Sequence, residues 1–418
     1  MASSPQLQSF PSKPRVFILS DISNEPDGAE SLVRYLLYSN QFRTEGLVAC
    51  TSTWMKSKVC PQDMHKIVDG YEKFVSNLNV HVHLDDPYPT AQYMRPLIKK
   101  GAETYADAVA LRSKLRIYTI SDQDDSGVWL RTTYPDLFYI SSVHGWNQYG
   151  MATWTGISGD KWYGFDKGGP DPSKISKEWI RENIQIGPLG STYPNFMFIP
   201  EGDTPTFLGR YGKHGHYSDT ADDVDGLDGR SHKSNQATIW RWRDAFQTDF
   251  AARMQWSLSS DVGKANHHHV AVLNGTKGPA PLMFELEAGS MFQLDASASY
   301  DPDPNDSLSF KWYQYKDLSA SQWSVHHEVG ELGIRPLDEA GSVVEVTLPP
   351  PEKCCVELIS RKAIQKGQLL HLILEVKDNG SPALITYRRV VIQATNEKLL
   401  GGGGSADAIG DTMKDFMQ

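Results

Sequence analysis

The apolar run Val16–Leu19 is followed by a polar turn, then by Leu32, Val33, Leu36 and Leu37 at helical spacing, then by a second apolar run, Gly46–Cys50. That order predicts a buried parallel strand, a turn, a helix packing back on the sheet, and a second strand. Further apolar runs at Leu115–Ile120, Leu137–Ile140 and Phe196–Pro200 predict strands. Helices are expected over Pro61–Leu78, Ser176–Gln185 and Asn235–Trp256. The last carries Ile239, Trp240, Trp242, Phe246, Phe250 and Met254, with an Asn/Gln start suited to a cap. From about residue 270 the period shortens: PLMFELEAG, MFQLDAS, SLSFKWYQY, SVVEVTL, LLHLILEV and ITYRRVVIQA alternate between turn residues. Such spacing predicts an antiparallel β-sandwich. The chain therefore divides into a loose tail (1–14), an α/β domain with a mostly parallel sheet and flanking helices (15–262), a β-sandwich (270–396), and a glycine-rich linker with an appended tail (400–418). His267–His269 falls at the boundary and reads as linker, because three adjacent imidazoles on an extended segment do not converge on one ion.

With 41 basic and 51 acidic side chains among 418 residues, the net charge is −10, which disfavours nucleic acid as a partner. No run approaches the roughly 20 apolar residues of a transmembrane helix, so no membrane partner is expected. The start, MASSPQLQSFPSKPRVF, has no apolar core of a signal peptide; the protein is intracellular as written, or secreted with a leader removed. Cys50, Cys60, Cys354 and Cys355 match neither a disulfide framework nor zinc spacing and read as packed thiols.

The chemistry concentrates in the first turn. Asp21, Asn24, Glu25 and Asp27 follow the first strand, at the sheet edge where open α/β folds bind ligands. Three carboxylates within seven residues repel one another unless a cation or hydrogen bonds offset them, and hard oxygen donors suit Ca²⁺ or Mg²⁺. Capping of the following helix by Glu25 or Asp27 is the competing reading. Two more acidic turns, Ser121–Asp125 and Glu201–Pro205, also follow predicted strands and belong on the same rim. Trp54, Asp122 and Glu201 are the substrate contacts that rim offers. Trp54 belongs to a tryptophan surplus (with Trp129, Trp146, Trp154, Trp162, Trp240 and Trp242) suited to stacking on sugar rings, although most of these belong to the core. Asp301–Asp306 reads as a proline-rich turn between strands with oxygens available to calcium.

The stretches SDISNEPDGAESLVRYLLYSNQFRTEGLVACTSTW, RIYTISDQDDSGVWLR, FIPEGDTPTFLG and SNQATIWRWRDAFQTDFAARMQW resemble a nucleoside-hydrolase-like domain family, some of whose members are labelled cellulose-binding proteins. The resemblance runs from about Arg15 to Trp256. DASASYDPDPNDSLSFKWYQY and LEVKDNGSPALITYRRVVI resemble polycystic-kidney-disease or cadherin-type β-domains. The resemblance implies hydrolysis of an N- or O-glycosyl bond by a Ca²⁺-activated water. Asp21 would be base and ligand, Asp27 and Asp203 further ligands, and Asn24 and Glu25 would lie beside a sugar or glycoside. The sequence also departs from that pattern. The family's N-terminal motif ends in two aspartates, but here Gly28 stands at the second. The segment between Gly101 and Arg116, where the family carries a central strand, is short, as is the stretch after Gly209. Those departures fit a second reading, a non-catalytic carbohydrate-binding or interaction protein on a degenerate hydrolase fold.

Overall fold

A computed structural model of the protein describes residues 6–52, 55, 57–101, 115–119, 132–136, 138–141, 157, 169, 171–196, 200–202, 204, 222–225, 231–234, 237–319, 329–357 and 362–397. The strand expected at Phe196–Pro200 and the tail at 400–418 therefore lie outside the described residues in whole or in large part.

The α/β domain is built on β1 (Arg15–Ser20), β2 (Arg43–Ala49), β3 (Ile98–Lys100), β4 (Leu115–Thr119) and β5 (Phe138–Ser141). They form one sheet in the order β3-β2-β1-β4-β5, with every pair parallel. The short segment before Arg116 does not break this sheet: β4 pairs directly with β1, Arg15 beside Leu115 and Leu19 beside Thr119. Strand order reverses between β1 and β4. That reversal opens a crevice at their carboxyl ends, the usual ligand position in such sheets. A separate antiparallel ribbon joins β6 (Asp222–Asp225) to β7 (Ser231–Ser234).

Four helices matter for the site: α1 (Pro26–Tyr38), α2 (Pro61–Glu72), α3 (Lys177–Asn183) and α4 (Ala237–Trp256). Pro26 supplies a preset φ at the first position of α1. The helix is then buried on nearly every side, from Glu30 through Tyr38. It can be so because α4 covers the flank that the sheet leaves. Tyr38, Phe246, Phe250 and Ala251 share one apolar core with Val16, Ile18 and Leu47 of the sheet.

The sandwich comprises β8 (Leu282–Glu287), β9 (Met291–Asp295), β10 (Ser309–Gln314), β11 (Gly333–Pro336), β12 (Val343–Thr347), β13 (Lys366–Lys377) and β14 (Ile385–Thr395). One sheet runs β10-β13-β14-β8 and the other β11-β12-β9. All pairs are antiparallel except β14 with β8, which are parallel. Along β13, Leu370, Leu372, Leu374 and Val376 fill the sandwich interior. Ile373 on the opposite face joins the α/β core together with Tyr315. The reason is α4: Trp242 meets Tyr315 and Tyr387 edge-on, with centroids 5.7 Å and 4.7 Å away. One helix thus serves both domains.

Two expectations are corrected. Residues 6–14 are not a loose tail among those described: Leu7 is buried, Phe10 N–H donates to Asp86 at 2.6 Å, and Lys13 pairs with the same carboxylate. Nor is His267–His269 a linker. All three are buried, because the chain passes between the domains rather than around them. His267 bonds His81 at 2.8 Å and lies in a stack with it and Trp256. His268 contacts Asp249 of α4 at 2.5 Å, and Asp249 also holds Arg253 at 3.0 Å.

The α/β fold is pinned by a buried ion pair. Arg34 of α1 and Glu201 are both almost fully excluded from solvent and meet through two bonds, one of them Nη2 to Oε1 at 2.8 Å. Arg34 also donates to the carbonyl of Phe246 at 3.0 Å and to Gln247, and its guanidinium lies 3.9 Å over the Phe250 ring. Removing one partner leaves an uncompensated buried charge. Glu201→Gln is expected to cost about 3–5 kcal/mol in denaturant unfolding, and Arg34→Met combined with Glu201→Leu to recover most of that loss. Equal destabilisation of the single and double variants would show that the charges themselves are not what is being held.

Candidate functional site

The carboxyl end of β1 turns sharply. Asn24 N–H closes on the Asp21 carbonyl at 3.0 Å, and Ser23 takes the left-handed conformation at φ 78°. Ser23 is held there by its hydroxyl, which donates to Asp63 of α2 at 2.6 Å. Glu201 is left-handed too, at φ 53°. Among the described residues only three non-glycines have positive φ, so two of the three strained positions lie in the two turns at this edge.

Asp21 is buried, Asn24 and Asp27 are half-buried, and Glu25 is exposed. The capping reading fails for Glu25: it is the residue preceding α1 in extended conformation, yet its side chain makes no capping bond. Asp27 Oδ1 accepts the adjacent Gly28 N–H at 2.9 Å. Burial first, then the charges of Glu25 and Asp21, push the Asp27 carboxyl up to about 7. Burial and Asp21 raise Glu25 as well. Among the described residues no lysine or arginine pairs with any of these three carboxylates. These are hard oxygen donors with no resident counter-charge, but among the described residues they do not come together as three within 4.8 Å of one another, and Gly28 contributes no side-chain oxygen.

The second acidic turn is brought to the first. A Cβ placed on Gly202 would stand 2.6 Å from Asp27 Oδ2, so Gly202 abuts the α1 start, and a larger residue there would push the Asp27 carboxyl aside. Glu201 itself is not a substrate contact. Both its oxygens are committed inward, to Arg34, to Tyr193 Oη at 2.9 Å and to Thr204 Oγ1 at 2.6 Å. Trp54, Asp122 and Asp203 lie outside the described residues. Trp242, grouped with the sugar-stacking surplus, is buried in the contact between domains instead.

Two residues at the site escaped the pattern reading. Glu30, fully buried, accepts Glu201 N–H at 2.7 Å through Oε2 and has no partner for Oε1. Burial, with the neighbouring Glu201 and Asp27 charges, holds its carboxyl well above the usual range despite that N–H bond. Arg34 follows it by one helical turn. The available signal was a Glu and an Arg four residues apart on a helix otherwise lined with apolar side chains.

An all-parallel sheet with acidic turns at its topological reversal, backed by a β-sandwich, defines a nucleoside-hydrolase-like α/β protein with an accessory β-domain. The chain belongs to the family described as cellulose-binding Sde182, nucleoside hydrolase-like domain, which matches residues 15–110 and 104–230. Residues 291–394 match the family's C-terminal domain, described for cellulose-binding protein Sde0182. The two N-terminal matches meet at the segment that is short here. Among solved structures, a nucleoside hydrolase-related protein from Saccharophagus degradans, described as associated with carbohydrate metabolism, is 26% identical. It aligns over 92% of this chain and 100% of its own, with a TM-score of 0.66. A human CDH23 EC21-23 fragment is 14% identical over 31% of this chain and 34% of its own, TM-score 0.19. An endo-fucoidan hydrolase of glycoside hydrolase family 107 is 13% identical over 28% and 13%, TM-score 0.17. Those two scores are too low to bear on fold or function. None of the curated proteins matches this chain. No helix among the described residues is long and apolar enough to cross a membrane.

A carboxyl at about 7 when folded, against 3.8 as a free side chain, costs nothing below pH 4. Its penalty grows as pH rises to 7, because the folded state holds the proton more tightly than the unfolded one. In chelator-containing buffer the protein is expected to lose on the order of 3 kcal/mol over that window through Asp27, and Asp27→Asn to abolish that part of the slope. Parallel stability–pH curves for the two proteins would exclude Asp27 as the group responsible.

Proposed function

We propose that this protein hydrolyses a glycosidic bond, N- or O-linked, in a sugar-containing substrate held at the crevice between β1 and β4. The observation that supports this reading most directly is the trio Asp21, Glu25 and Asp27 at the sheet reversal, whose charges act on one another and which no lysine or arginine pairs with among the described residues. Asp21 would hold a Ca²⁺ ion with Asp27, and with Asp203 as a third ligand by resemblance. The bound ion would polarise a sugar hydroxyl and favour ionisation of water there. Asp21 takes the proton from the attacking water. Asn24 and Glu25, at the mouth of the turn, offer hydrogen bonds to sugar hydroxyls.

A second reading keeps the sugar and drops the turnover. Gly28 removes one carboxylate from the cluster, and the family's own description is cellulose-binding. On this reading the crevice holds a glycan without cleaving it.

The deciding experiment is calorimetric titration of chelator-stripped protein with Ca²⁺, followed by assays on nucleosides, aryl glycosides and cello-oligosaccharides. Asp21→Asn is expected to keep the fold, to abolish Ca²⁺ binding at this edge and to lower kcat by at least about a hundredfold. Turnover that is unchanged in Asp21→Asn would remove Asp21 from the mechanism. Glycan binding with no turnover on any substrate class would establish the second reading.

A further inference from the structure

A second cluster lies about the junction of the domains, far in sequence from the β1 turn. A ring nitrogen of His269 and one carboxylate oxygen each from Asp301 and Asp378 lie within 4.8 Å of one another. Asp301, Asp303 and Asp306 form an overlapping set with the same spread. Three other carboxylates therefore surround Asp301, and among the described residues no lysine or arginine pairs with any of the four. His267 takes Asp303, through its backbone N–H at 2.7 Å and its Nδ1 at 3.0 Å. Asp378 Oδ1 is used by Asn266, Gly380 and Leu384, and its Oδ2 lies 3.3 Å from His269 Nδ1.

One buried oxygen of this cluster, Oδ2 of Asp301, has no hydrogen-bond partner, and His269, whose side chain is 0% exposed, turns its Nδ1 to Asp378. Oδ1 of Asp301 is already committed to Asp303 N–H at 2.8 Å, so Oδ2 is its free donor. A shielded, lone carboxylate oxygen amid three other carboxylates is costly, and burial with those charges pushes Asp301 up to about 7. An imidazole nitrogen among carboxylates selects against an ion that takes oxygen alone and favours a borderline divalent ion.

We propose that His269, Asp301 and Asp378 bind a first-row divalent transition ion of the Zn²⁺ type. The site joins the segment between the domains, the turn between β9 and β10, and the loop from β13 to β14. His268, next to the ligand His269, is anchored on Asp249 of α4. The ion thereby fastens the sandwich to the α/β domain.

The test uses the full chain, stripped with chelator and titrated with Zn²⁺, with Co²⁺ as a spectroscopic probe. One equivalent of Zn²⁺ is expected to bind and to raise Tm. Co²⁺ is expected to give the visible bands of a mixed nitrogen and oxygen site. Asp301→Asn, nearly isosteric and only half-buried, should weaken binding by at least about tenfold, and His269→Gln should abolish the Co²⁺ bands. Asp21→Asn should leave Zn²⁺ binding unchanged, which separates this site from the one at β1. Zn²⁺ that does not bind, that binds equally to Asp301→Asn, or a cluster that takes Ca²⁺ alone would overturn the proposal. Should a variant fail to fold, the Co²⁺ spectrum of the unmodified chain decides: bands of an all-oxygen site, or none, exclude His269.

Discussion

The Arg34–Glu201 pair is the constraint on which the α/β domain depends. A guanidinium and a carboxylate removed from water are tolerable only if their donors and acceptors are used, and here Glu201, Phe246, Gln247, Tyr193 and Thr204 use them. Satisfying that list fixes three things at once: the rotation of α1 about its axis, the height of α4 along it, and the position of the 200–204 turn. The left-handed backbone at Glu201 follows, since the carboxylate must point inward while the chain continues along the surface. Charge placement therefore sets geometry that apolar packing alone would leave adjustable.

The site inherits this arrangement. With Glu201 held inward, Gly202 is pressed against Asp27, and two acidic turns about 180 residues apart share one edge. Strain at Ser23 and Glu201, an orphan oxygen on Glu30 and mutual repulsion around Asp27 all collect there. Chains tolerate such local conflict where a binding partner can relieve it.

Between the domains, α4 does double work. Its Phe250 face closes the core over α1, and its Trp242 face receives the aromatic side of the sandwich. The near-continuous apolar run of β13 is explained by this: one face fills the sandwich and the other lies against α4. The polar chain crossing the seam, Asn266 to His269, is held by Asp303, Asp249 and Asp378. The two domains are consequently one packed body where they meet.

Much of this was legible in the linear order of residues. Apolar runs and helical spacing determined β1, α1, β2 and the long helix α4, because burial of one face imposes its period on the sequence. The acidic turn after Leu19 determined where the candidate site lies, since a parallel strand must end at that edge. The quoted motifs carried family membership. Tertiary structure alone decided which acidic residues face outward. Glu201 and Asp27 look equivalent in sequence, yet one is neutralised by an arginine from another element and the other is not. It also turned His267–His269 from connector into junction, because their partners Asp249, Asp303 and Asp378 are 19 to 109 residues distant. Periodicity records which side of an element is buried; the pairing of buried charges depends on contacts between elements, and no local pattern encodes those.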